Sequence, residues 1–412
     1  MAASDSAVTP KASASSKNLL LIAPFRNFWI GRTISVLGDQ FYIVALPWIV
    51  FQLTNSALTL GTVLTVTALP RAALMLVGGT LTDRFSSRRV LIAISLLRTM
   101  LVGTIAAIIW FHRLRLWELY VITIIYGATD AFASPAGASL LPTFLEKDRL
   151  QAANSLFQSS SSIVQLVGPA LAGWLIRLRS IATGLVLDAF SFIPLTISLF
   201  RLPEPKRPES PKTTGKWKTL RSIQEGLDAI WNDPPVMWLM LLFAMMNLCI
   251  AGPINLGLPL LVKFHLGSAA TFGTILSFFS GGALAGAMLA GVVKKLQRRG
   301  LLFISIVGLT GLETVGLGMT SNLVVVTGVL VVMGLGLGFL NVVFATWFQT
   351  RIEQRLLGRV MSVFLLCTQG LVPISLAVSG FIVSWSLKGL FIIAGIIMFV
   401  TSIIAGSRAY QY

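Results

Sequence analysis

Inside the long apolar stretches of this 412-residue chain, five ionisable residues are candidates for chemistry: Asp39, Arg71, Arg98, Asp130 and Glu313. Charged groups at membrane depth are costly and mark ion or substrate pathways. Desolvation favours the protonated form of a carboxyl, and a neighbouring guanidinium favours its charged form. A carboxyl balanced between the two can bind a proton in one conformation and release it in another, which is what coupling to a proton gradient requires. Asp39 lies about 11 residues into the first apolar stretch and Arg71 about 11 residues before the end of the second. At about 1.5 Å per residue both reach the middle of a bilayer, so an ion pair between them is geometrically open. Arg98 and Asp130 form a similar pair at matched depth across the next two stretches. Bracing of the adjoining loop is the alternative to proton handling by Asp130, and a static pair with Arg71 is the alternative for Asp39. Glu313 has no evident partner.

Seven polar or aromatic residues are candidates to line a cavity: Tyr42, Trp48, Tyr126, Asn247, Asn255, Asn341 and Gln369. Packing between helices is the competing fate of each. An apolar cavity with so few charges suits a bulky lipophilic or amphipathic compound. Other chemistries have little material. His112 and His265 are the only histidines, both in loops without metal-ligand spacing, so neither a metal nor a cofactor is expected and the chain does not read as an enzyme. Cys249 and Cys367 fall in apolar runs, which implies no disulfide framework. TGKWK (214–218) lacks the spacing of a phosphate-binding loop, so ATP is not the expected energy source.

The elements that must position these residues are membrane helices. The chain is 55% hydrophobic and 11% charged, against about a quarter charged in soluble domains, and its mean hydropathy is +0.83. Twelve apolar segments are long enough to cross a bilayer: 28–51, 61–82, 90–111, 117–142, 158–177, 181–201, 236–262, 270–293, 301–319, 323–349, 358–384 and 388–407. The net charge of +17 sits mostly in the short loops between them, which speaks for topology and against nucleic acid. With the N-terminus inside, 24 Lys and Arg fall on the N-terminal side and six on the other, the remaining two being Arg71 and Arg98. That bias places both termini in the cytoplasm.

Residues 46–65 and 258–277 align without a gap at nine of 20 positions, 212 residues apart. Such duplication builds transporters with a site at the repeat interface. The expected organisation is a disordered tail (1–25), a six-helix half (26–201), a basic linker (202–235) and a second six-helix half (236–408). Lys218 to Trp231 has amphipathic spacing within that linker. The equivalents of Asp39 and Arg71 in the second half are Ala251 and Ala283, so these charges are not part of the duplicated scaffold.

GGTLTDRFSSRRV (78–90) resembles the cytoplasmic loop signature of the major facilitator superfamily, Gly-x-x-x-Asp-Arg-x-Gly-x-Arg-Arg. Gly79, Asp83, Arg84, Arg88 and Arg89 match, and Ser86 replaces the second Gly. SLLPTFLEKDRLQAANSLFQ through VGPALAGWLI (139–176) resembles the macrolide-efflux and siderophore-exporter branch, and Gly168, Pro169 and Gly173 match most of the fifth-helix pattern of proton-coupled drug exporters. The resemblance implies an all-α fold of 12 transmembrane helices in two pseudo-symmetric halves. It implies that Gly79 to Arg89 form a gate between the halves and that the fifth helix packs closely on the other half. The function implied is proton-coupled efflux of drug- or macrolide-type compounds by alternating access. A uniporter or importer of a metabolite or lysophospholipid on the same fold is the alternative, and a non-transporting receptor is disfavoured. Its expected partners are a small-molecule substrate, protons and the lipid bilayer of a bacterial cytoplasmic membrane, with the protein acting as a monomer.

Overall fold

The computed structural model describes residues 19–84, 86–202, 224–225, 227–293, 299–352 and 354–409, of which the side chains of 75–84, 147, 299, 349, 354, 355, 357, 358, 362 and 407–409 lie outside the description. The tail and most of the linker are thus outside the described residues, and the backbone is helical at 227–231, the end of the amphipathic stretch.

Among the described residues twelve long helices follow one another, with short connections except between residues 201 and 234. They are α1 (Ala23–Thr54), α2 (Ala57–Arg84), α3 (Ser87–Trp110), α4 (Leu116–Leu140), α5 (Leu150–Leu178) and α6 (Ile181–Arg201) in the first half. The second half holds α7 (Pro234–Gly252), α8 (Ala269–Val292), α9 (Arg299–Met319), α10 (Leu323–Arg351), α11 (Gln354–Gln369, resuming at Val372–Trp385) and α12 (Leu387–Ala409). Two π turns, Pro253–Gly257 and Val262–Leu266, carry α7 on to Leu266. Eleven stretches among the described residues are long and apolar enough to span a membrane. The twelfth helix, α4, misses only because Glu118, Asp130 and a run of small residues dilute it. Buried backbone groups in lipid must be satisfied within the segment, which is why the apolar stretches are helical throughout.

Successive helices run in alternate directions, so one face of the bundle carries the starts of α1, α3 and α5 and the ends of α2 and α4. We call it the N-face. Three apolar clusters show how the halves meet. One draws from both halves and comprises residues near the opposite face, among them Leu46, Leu60, Leu256, Phe272 and Leu376. Near the N-face there are two separate clusters instead, one from the first half (Phe25, Leu91, Leu140, Leu199) and one from the second (Phe243, Phe303, Phe344, Phe348). The halves therefore share a core at one face and part at the other.

The shared side is held by small residues. A Cβ added to Gly61 on α2 would stand 2.7 Å from the Cα of Gly380 on α11, and one added to Gly273 on α8 would stand 2.0 Å from the carbonyl oxygen of Pro169 on α5. Backbones approach this closely only where side chains are absent. Pro169 interrupts the hydrogen-bond ladder of α5, and the Ala170 N–H donates instead to Ser277 Oγ of α8 at 3.0 Å. Lys263 donates to Asn55 Oδ1 and lies 4.2 Å over the Phe51 ring, tying the ends of α1 and α7 together. At the N-face of the second half, Arg351 grips Asp233 through two hydrogen bonds of 2.8 and 3.0 Å.

Candidate functional site

The parting of the halves leaves a cavity of about 810 Å³. Its wall from the first half carries Asp39 and Tyr42 (α1), Arg71 (α2), Tyr126 and Asp130 (α4). The second half contributes Asn247, Asn255, Asn341 and Gln369 among Phe243, Phe272, Phe344, Phe364 and aliphatic side chains. All its ionisable lining thus comes from one half. A further cavity of about 500 Å³ extends toward the N-face and is lined by first-half residues alone, including Arg32, Arg98 and Gln158. The N-face is the open one.

The charges form a chain. Asp39 accepts a hydrogen bond from the Tyr126 hydroxyl at 2.9 Å and stands 3.7 Å from an Arg98 Nη. Arg98 donates through Nε to Thr129 Oγ1 at 2.8 Å and through Nη2 to Asp130. Asp130 in turn faces Arg71 at 3.8 Å. Arg98 is buried at 4% exposure, whereas a fifth to a half of the Asp39, Asp130 and Arg71 side chains reach the cavity. The Arg98 guanidinium lies 4.7 Å over the Tyr126 ring, and that ring stacks on Tyr42 at 4.4 Å. A cation or a proton arriving at Asp39 from the cavity competes with Arg98 for the carboxylate.

The expected Arg98–Asp130 pair is present, and the expected Asp39–Arg71 pair is not. Asp39 takes Arg98 and Arg71 takes Asp130, because α4 stands between α1 and α2 at this depth and α3 delivers Arg98 behind it. Trp48 is a second correction: it packs on Phe272 at 5.4 Å in the apolar closure and does not line the cavity. Glu313 lies on α9 outside the cavity lining, and as expected it has no partner, its carboxyl oxygens being buried without a hydrogen bond among the described residues. The six other cavity candidates, Tyr42, Tyr126, Asn247, Asn255, Asn341 and Gln369, all line it.

Of the loop residues, the side chains of Gly79, Asp83 and Arg84 lie outside the described residues. Arg88 donates to the Leu199 and Phe200 carbonyls, both at 2.7 Å, capping the C-terminus of α6 within its own half; Arg89 follows it in the first turn of α3. On α5, Gly173 abuts the α8 backbone at Ala269, whereas Gly168 faces Gln40 of α1. Two charges escaped the sequence reading. Arg32, counted there as a topology charge, lines the N-face cavity. Asp188 is fully buried on α6, and the rule that picked out Asp39, a carboxyl amid an apolar span, applies to it equally.

The Major Facilitator Superfamily model matches residues 28–375. The chain belongs to that superfamily. It is a multi-pass membrane transporter of small molecules, and not an enzyme. Among relatives, the macrolide efflux protein A of Streptococcus pyogenes is 24% identical over 341 residues, covering 82% of this chain and 84% of the relative. The multidrug efflux pump Tap of Mycobacterium tuberculosis is 26% identical over 358 residues, covering 83% of each. Among solved structures, a bacterial homologue of the iron transporter ferroportin in an inward-facing state has a TM-score of 0.72 at 17% identity, over 94% of this chain and 98% of that one. The nucleoside transporter NupG has a TM-score of 0.71 at 14% identity, over 95% of this chain and 100% of its own. At those identities the structural likeness establishes the fold alone.

Proposed function

We propose that this transporter exports bulky lipophilic or amphipathic compounds across a bacterial cytoplasmic membrane, driven by protons moving inward. The observation that carries the reading is the composition of the cavity. Its size suits a drug-sized molecule, its second-half wall is aromatic and uncharged, and a partly exposed Asp39 stands opposite. Two relatives described as efflux proteins support export. The Lys and Arg bias supports cytoplasmic termini, which makes the N-face cytoplasmic and this conformation inward-facing, ready to load substrate from the cell or the inner leaflet.

The Asp39–Arg98 contact supports proton coupling. Substrate binding and protonation at Asp39 are mutually exclusive demands on one carboxyl, so each conformation favours one occupant, and the difference drives the cycle. The loop from Gly79 to Arg89 closes the N-face in the alternate state, when the halves rock about the small-residue contacts. The cavity is complete within one chain, so a monomer suffices. Everted membrane vesicles containing the protein test the reading with ethidium and the macrolide erythromycin as probes. Imposing a proton gradient is expected to drive uptake of at least one, and a protonophore to abolish it. Equal uptake with and without the gradient would contradict coupling.

A further inference from the structure

Asp188 has no part in the charge chain just described, yet it is fully buried at the seam between α6 and α1. Neither of its carboxyl oxygens has a hydrogen-bond partner among the described residues. Two hydroxyls of α1, on Ser35 and Tyr42, are likewise buried without partners. Ser35, Gly38 and Tyr42 are spaced three and four residues apart, which puts them on one face of α1. That face meets α6: a Cβ on Gly38 would stand 1.9 Å from Ser191 Oγ and 2.7 Å from Asp188 Oδ1. Ser191 donates to the Asp188 carbonyl oxygen at 2.7 Å, and its hydroxyl also lies beside the carboxyl.

An isolated ionised carboxylate in such a site costs far more than its neutral form. The ionisable groups that face Asp188 are Asp39 and Tyr42 on α1, Arg98 on α3 and Tyr126 on α4. Of these only Arg98 could neutralise it, and Arg98 is engaged by Asp39, Thr129 and Asp130. A protonated acid, by contrast, carries no charge and needs no cation beside it. We propose that Asp188 forms a proton-binding site in the α1–α6 seam, against the α1 face that carries Ser35, Gly38 and Tyr42, loaded in this conformation and exchanging its proton with the cavity through Asp39. The Asp188 carboxyl lies against Gly38, the residue before Asp39, and Tyr126, whose ring stacks on Tyr42, donates to Asp39. The step moves one proton from the Asp188 carboxyl to the Asp39 carboxylate and on to cavity water, with no electron transfer.

Infrared difference spectroscopy on the purified full chain tests the site without reference to transport. The wild-type minus Asp188→Asn spectrum at neutral pH is expected to contain a protonated-carboxyl C=O stretch that shifts in D₂O. Its absence from the difference overturns the proposal. So does a band present only in Na⁺-free buffer, which would make Na⁺ the occupant. Tyr42→Phe retains the acid, guards against a poorly folded Asp188→Asn, and is expected to shift the same band; an unmoved band would remove Tyr42 from the site. In proteoliposomes, where the test rests on the export reading, Asp188→Asn is expected to cut gradient-driven ethidium accumulation at least tenfold while gradient-free exchange persists. Undiminished accumulation would overturn the exchange with Asp39. Wild-type protein that accumulates no probe would count against export alone and leave the infrared result standing.

Discussion

The two halves are copies of one unit, and they face each other across the cavity with opposite chemistry. The first presents Asp39, Arg71 and Asp130, with Arg98 and Arg32 close behind. The second presents amides and a cluster of phenylalanines, in which Phe344 stacks on Phe364 at 4.7 Å and packs against Phe243 at 4.2 Å. At the repeat positions of Asp39 and Arg71 the second half has Ala251 and Ala283. Duplication supplied the scaffold, and divergence then left the cavity's charges in one copy and its amides and phenylalanines in the other. Where the copies still agree, they do mechanical work: Gly61 and Gly273, equivalent in the repeat, each make a close backbone approach to the other half, on α11 and α5 respectively.

The strongest way to break this comparison is to remove the hub of the charged half. Arg98→Ala leaves Asp39 and Asp130 without their shared cation. Removing one partner of a buried ion pair costs about 3–5 kcal/mol, so the variant is expected to lose most of its thermal stability margin in detergent and all gradient-driven transport. An unchanged melting temperature would mean the chain of charges is not structural.

Next comes the mechanical pair. Gly273→Ala introduces a Cβ against the Pro169 carbonyl, and overpacking of this kind costs about 1–3 kcal/mol, or about 5–150-fold in the balance between conformations. With Cys249 and Cys367 replaced by serine and a single cysteine at Asn341, labelling from the N-face by a membrane-impermeant maleimide is expected to slow, since the variant disfavours closure of the opposite face. Unchanged labelling would show that the contact does not gate.

A smaller effect sharpens the division of labour. Phe364→Ala removes an aromatic pair worth about 0.5–1.5 kcal/mol beyond its area. It is expected to raise the apparent KM for ethidium several-fold while the ratio of accumulation with and without a gradient stays at the wild-type value. Loss of that ratio would place coupling in both halves. The smallest change is Lys263→Met, which deletes a cation–π contact of about 0.5–1 kcal/mol at an exposed site and is expected to speed opening of the face opposite the N-face by a few-fold in the same labelling assay.

The repeat, the helices and the depth of each charge were legible in the sequence because a lipid environment forces long apolar helices and makes every buried ion conspicuous. Partner choice was not. Matched depth correctly joined Arg98 to Asp130, yet it also joined Asp39 to Arg71, since depth fixes only the coordinate along the helix axis. Which helix faces which around the bundle depends on close contacts such as Gly127 against the Thr67 carbonyl, where α4 presses on α2, and no spacing within one helix reveals those. Trp48 misled for the same reason, one turn of α1 deciding between cavity and closure. Asp188 is as conspicuous in the sequence as Asp39, a lone carboxyl amid the apolar residues of its own span.

The central claim is that coupling resides in the first half and begins at Asp39. Ethidium transport in proteoliposomes containing Asp39→Asn tests it most directly, measured once as exchange without a gradient and once as accumulation against a concentration difference under an imposed proton gradient. The account predicts that exchange persists and accumulation is lost. Accumulation equal to wild type would remove Asp39 from the mechanism.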